Sequence, residues 1–174
     1  MTVETEPKQP GGPYSGYAGR EERPPFVSFA ALTALFNAGF GGALLAAARG
    51  RRLPEHVDAG DVLLVGTASH KLSRLVAKDK ITGFVRAPFT EYEGDAGPSE
   101  VEESVRGKGL RRAIGELIAC PYCLGLWAAG GLNVGLIWAP RVTRVVASTL
   151  TALTISDFLQ IAYKAAEDRG LGGS

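Results

Sequence analysis

The sequence predicts an all-α, polytopic helical membrane protein with three to four transmembrane helices, the third of them kinked at a proline. Three observations carry this reading. Charged residues crowd into 1–25, 49–61, 71–112 and 164–169, which leaves long apolar stretches between them. The longest, 26–48, holds 23 residues without an ionisable side chain, against the roughly 20 that a helix needs to cross a bilayer core. No stretch shows the alternation of apolar and polar residues that marks a half-buried strand. A net charge of +1 gives no field to attract nucleic acid, so the expected partner is the lipid bilayer, with other membrane proteins or a second copy beside it.

Residues 1–25 hold Pro7, Pro10, Pro13, Pro24 and Pro25 among several glycines, too little apolar surface to offset the entropy of ordering, and read as a disordered tail. A signal peptide has a short basic start and an apolar core of about 7 to 15 residues, so 26–48, longer and farther in, reads as the first transmembrane helix. Gly39, Gly41 and Gly42 would let another helix approach it closely. Arg49, Arg51, Arg52 and Pro54 end it.

Asp61 is a suitable cap for a second helix, 62–78. Its first half is apolar or small, whereas Lys71, Arg74 and Lys78 form one basic stripe on its second half, opposite Leu72, Leu75 and Val76. The apolar length is marginal; a crossing with snorkelling basic stems is favoured over a shallow dip. Residues 90–109, acidic first (Glu91, Glu93, Asp95, Glu100, Glu102, Glu103) and then basic (Arg106, Lys108), read as a mobile surface loop. A third helix over 110–139 is kinked by Pro121, with Trp127 and Trp138 toward its ends as interfacial aromatics. The last helix, 142–163, is apolar except for Arg144 and Asp157, and 164–174 is a polar tail.

Lysine and arginine in short loops set orientation. Nine of them lie between Lys71 and Arg112, and only Arg141 and Arg144 lie in the last turn, so the central loop is expected to be cytoplasmic. With four crossings both termini are cytoplasmic; with three, the amino tail is outside. Cys120 lies eight residues beyond Arg112, about 12 Å along a helix, which puts it in the cytoplasmic half, and Asp157 returns to the same depth.

Chemistry centres on Cys120-Pro121-Tyr122-Cys123, which holds both cysteines. The tetrapeptide matches that of glutaredoxins, where helix amides acidify the first thiol, but here a helical segment precedes it in place of a strand. Thiol redox catalysis and metal binding stay open as alternatives. Cys120 and Cys123 with His70 are weak metal candidates, since structural zinc takes four ligands. The favoured reading is that both cysteines pack a kinked helix. Asp157, an acid among apolar residues, calls for a partner, Arg74 or Lys71, either as a structural ion pair or as part of a transport path. Cofactors are unknown from the sequence.

The run from Asp61 to Phe89 and the run Gly115-Glu-Leu-Ile-Ala-Cys-Pro-Tyr-Cys-Leu-Gly-Leu-Trp127, followed by a last apolar helix, resemble the bacterial domain of unknown function family numbered 1360. The resemblance covers 61–163. It implies a small bacterial integral membrane protein, with some relatives in spore formers linked to sporulation, and it supplies no catalytic residues. The expected function is therefore structural or interaction work in the bacterial inner membrane, in preference to an enzyme. The rivals are a thiol or metal protein built on Cys120 and Cys123, and a small transporter or transporter subunit using Asp157.

Overall fold

The computed structural model describes residues 24–171; most of the expected amino tail (1–23) and the last three residues lie outside the described residues. The elements run α1 (Phe26–Arg49), α2 (Ala59–Ala77), a 3-10 turn (Lys80–Thr82), α3 (Gly83–Arg86), β1 (Thr90–Gly97), β2 (Glu100–Val105), α4 (Gly109–Ala119), α5 (Pro121–Trp138) and α6 (Pro140–Leu171). The chain is mostly helical, with a small two-stranded sheet. By length and composition α1 and α6 can each cross a membrane, and α4 with α5 qualifies only as a broken span bent by 81°.

Several boundaries differ from the sequence expectation, each for a physical reason. The N-cap of α2 is Asp58, whose carboxylate accepts the Gly60 N–H, and Asp61 is instead engaged with Arg144, 2.9 Å away. The expected kink at Pro121 is a full break. Pro121 occupies the first turn of a new helix, where its missing N–H costs nothing, and Cys120 before it is extended at φ −105° and ψ 107°. The eight residues from Arg112 to Cys120 therefore run across the start of α5 and do not carry Cys120 along its axis. The last helix continues through 164–171, where a tail was expected.

The packing gives each helix a direction. Phe36 of α1 meets Trp127 of α5 edge-on at 5.2 Å, and Arg52, just past α1, lies 4.7 Å over the Trp138 ring at the far end of α5. α1 and α5 thus run parallel. Gly130 makes their close approach possible, since a Cβ there would stand 2.9 Å from the Phe36 ring; Gly39, Gly41 and Gly42 face open space instead. Likewise Asp61 pairs with Arg144 and Lys71 with Asp157, so α2 and α6 run parallel to each other. The turn at Ala139 sends α6 back along α5. Val65 and Ala68 of α2, Leu132 of α5, and Ala147 and Leu150 of α6 form the core, with Leu64, Leu72, Ala129 and Leu136 against it.

The segment expected to be a mobile loop is an antiparallel hairpin, with Thr90 opposite Val105 and Gly97 opposite Glu100. Irregularities between Tyr92 and Gly94 and between Asp95 and Gly97 break its period of two, which hides the strands from a pattern reading. Pro98 and Ser99 make the turn, Ser99 at φ 63°. The acids of the hairpin neutralise the basic end of α2: Arg74 meets Glu100 at 2.6 Å, Lys78 meets Glu102 at 3.5 Å, and Lys80, beyond the helix, meets Asp95 at 2.8 Å. Lys80, with Tyr92 as a second donor, holds the Asp95 carboxyl below its ordinary value.

Beneath these pairs lies Arg86, fully buried. Its Nε donates to Glu103 Oε2 at 2.7 Å; Nη1 donates to the Val76 carbonyl at 2.6 Å and to Thr82 Oγ1 at 2.8 Å; Nη2 donates to the Asp79 carbonyl at 3.0 Å and to Glu103 Oε1 at 3.1 Å. All five N–H groups of the guanidinium are used. Thr90 Oγ1 also lies 3.0 Å from Glu103 Oε2. On the other side α4 closes over the hairpin at Gly115, where a Cβ would stand 2.6 Å from Val105 Cγ1.

Removing one partner of this buried pair leaves the other charge uncompensated, at a cost of about 3–5 kcal/mol. Glu103→Gln is therefore expected to lower the unfolding midpoint in detergent and to open 90–105 to limited proteolysis. A cleavage pattern unchanged from that of the parent protein contradicts the assignment.

Candidate functional site

The break between α4 and α5 creates a corner, and both cysteines stand on it. Cys120 is the N-cap of α5, partly exposed, and Cys123, one turn on, is exposed. The two are free thiols. The Cys123 N–H donates to Cys120 Sγ at 3.3 Å. Pro121, with no N–H of its own, leaves this first turn to Tyr122 and Cys123.

The other expected site residues fall as follows. Asp157 Oδ2 lies 2.6 Å from Lys71 Nζ, the acid about half exposed and the lysine mostly covered. Arg74, the other named partner, turns away to Glu100. Glu116 is held by Arg112 at 2.7 Å within α4. His70 is exposed. Among the described residues no three His, Cys, Asp or Glu side chains gather closely enough to hold a metal ion, so His70 does not complete a set with the thiols.

Sequence reasoning missed Arg86, Glu103, Thr82 and Thr90. One signal for them existed: Arg86 is the single charge in the run from Ile81 to Phe89, the position of a charge that must find a buried partner. Nothing local in the sequence says that this partner is Glu103.

A family model described as protein of unknown function (DUF1360) matches residues 64–163. Two curated proteins of Bacillus subtilis (strain 168) are similar to the chain. The sporulation protein YjcA is 39% identical over 74 residues, which is 41% of this chain and 63% of the relative. The UPF0713 protein YngL is 32% identical over 77 residues, 43% of this chain and 56% of the relative. The chain thus spans less than two thirds of the length of either. No solved structure matches it.

Lys71 and Asp157 join α2 to α6 through a half-exposed pair, an interaction worth about 1 kcal/mol or less in water. Asp157→Asn and Lys71→Met are each expected to lower stability in detergent by about that amount, with the charge-swapped double variant recovering most of it. A large loss with Asp157→Asn and none with Lys71→Met assigns Asp157 a different partner.

Proposed function

This chain belongs to the family of proteins of unknown function DUF1360, and from that membership we propose a bacterial inner-membrane protein with four crossings, α1, α2, α5 and α6, in a structural or interaction role in the envelope. The observation that carries the crossing count is the pairing of parallel helices. α2 is held beside α6 by Asp61–Arg144 near one end and Lys71–Asp157 near the other. From Asp61 to Lys71 is 10 residues and from Arg144 to Asp157 is 13, about 15 to 20 Å of helix, so α2 follows α6 over about half of a bilayer core or more. Its own hydropathy matters less, because its polar groups face protein partners.

The outer surface supports the same reading. Leu35 and Leu45 of α1 and Val145, Val146, Ile155, Phe158, Leu159 and Ile161 of α6 are exposed, far more apolar surface than a soluble chain leaves uncovered. Polar side chains within these helices bond to their own backbone, Asn37, Thr149 and Thr154 each donating to the carbonyl four residues back, as Asn133 does on α5.

In this arrangement the hairpin and the thiol corner lie at the cytoplasmic end, the turns after α1 and α5 at the outer end, and both termini inside. α4, bent away from α5, lies along the inner surface with Arg111 and Arg112 toward the headgroups. The sporulation name of one relative fits an envelope role.

Single cysteines introduced at Ser99 and at Pro140, in a background with Cys120 and Cys123 replaced by serine, test the orientation. An impermeant maleimide is expected to label the Pro140→Cys protein in intact cells and the Ser99→Cys protein only after the cells are opened. Labelling of both from the same side removes α5 as a crossing.

A further inference from the structure

The structural role leaves one arrangement unused. Two thiols stand at an exposed corner, and the first of them, the N-cap of α5, accepts the backbone N–H of the second at 3.3 Å. If the cysteines served packing alone they would be enclosed and interchangeable, yet Cys123 is exposed and Tyr122 between them is 92% exposed. A closed metal site lacks ligands among the described residues. What remains is the division of labour between an attacking and a resolving thiol.

We infer that the corner between α4 and α5 is a dithiol site for thiol–disulfide exchange, with Cys120 as the attacking sulfur and Cys123 as the resolving one, acting on a disulfide presented at the membrane surface. Cys120 is the N-cap of α5 and its sulfur accepts the Cys123 N–H at 3.3 Å, the contact that favours a negative sulfur at this position, while Cys123 stands one turn into the helix.

The exchange balances without a metal or cofactor. The Cys120 thiolate bonds to one sulfur of the substrate disulfide, and the other leaves as a thiolate that takes up the proton Cys120 gave up. Cys123 then loses its proton and attacks Cys120 Sγ, which releases the second substrate sulfur as a thiol. The substrate gains two electrons and two protons, and the chain is left with a Cys120–Cys123 disulfide. A soluble dithiol resets it by the same exchange in reverse. The reaction class that must supply the substrate is one that oxidises protein or small-molecule thiols to disulfides.

This inference goes beyond the structural role and is independent of the orientation, because the test uses the full chain purified in detergent. The reduced protein is treated with one equivalent of an aromatic disulfide whose leaving thiolate is coloured, and the product is weighed by mass spectrometry. The parent protein is expected to release two thiolates per chain and to end two hydrogens lighter, with no adduct. Cys123→Ser is expected to release one and keep the adduct, and Cys120→Ser to react at least about tenfold more slowly. A parent protein that releases only one thiolate and keeps the adduct overturns the proposal without reference to any variant. So do single variants that react at equal rates.

Discussion

A guanidinium with no access to water organises the hairpin end of this molecule. Arg86 is tolerated in the interior only because each of its donors meets an oxygen, and those oxygens belong to the end of α2, the 3-10 turn and β2. The charge therefore cannot be accommodated one element at a time: the hairpin must fold back on α2 for Glu103 to reach it. Once it has, the acids of the hairpin stand opposite the bases of α2, and α4 settles over Val105 at Gly115. The position of α4 then sets where α5 can begin, and so where the thiols stand.

The second constraint is the identity of the central helix. α2 is among the less apolar of the long helices and also the best surrounded, packed on both α5 and α6. A helix enclosed by protein does not need a lipid-compatible surface, and its charges become assets when each is paired across a boundary, as Asp61 is with Arg144 and Lys71 with Asp157. The peripheral helices α1 and α6 carry the opposite solution, apolar side chains outward and polar ones bonded back to their own backbone.

The thiol corner follows from a single proline. Pro121 ends α4, starts α5 and withholds one donor, so the free amides of the first turn that follow it are those nearest the Cys120 sulfur. The same four residues on a strand-to-helix turn would belong to a soluble redox fold. Here they stand on a helix-to-helix turn of 81°, at the start of an 18-residue helix. Chemistry of this kind depends on the few atoms around the sulfur more than on the architecture that delivers them.

Local composition determined a good part of this protein. The 23 uncharged residues of the first helix, the long apolar last helix and the family-like runs on either side of the central segment were all legible, because each depends on neighbours in the chain, and Pro121 was legible as a kink though not as a full break. The thiol pair was legible as a spacing, and Asp157 as an acid in need of a base. Only the tertiary structure decided that Lys71 and not Arg74 reaches Asp157, that Gly130 and not the glycines of α1 forms the close helix contact, and that an acidic stretch with bulged, irregular alternation is a hairpin. Those outcomes rest on contacts between residues far apart in sequence, such as Arg86 with Glu103 and Arg144 with Asp61. A charge records its need for a partner in the sequence; which partner answers it is set by the packing of the helices that carry them.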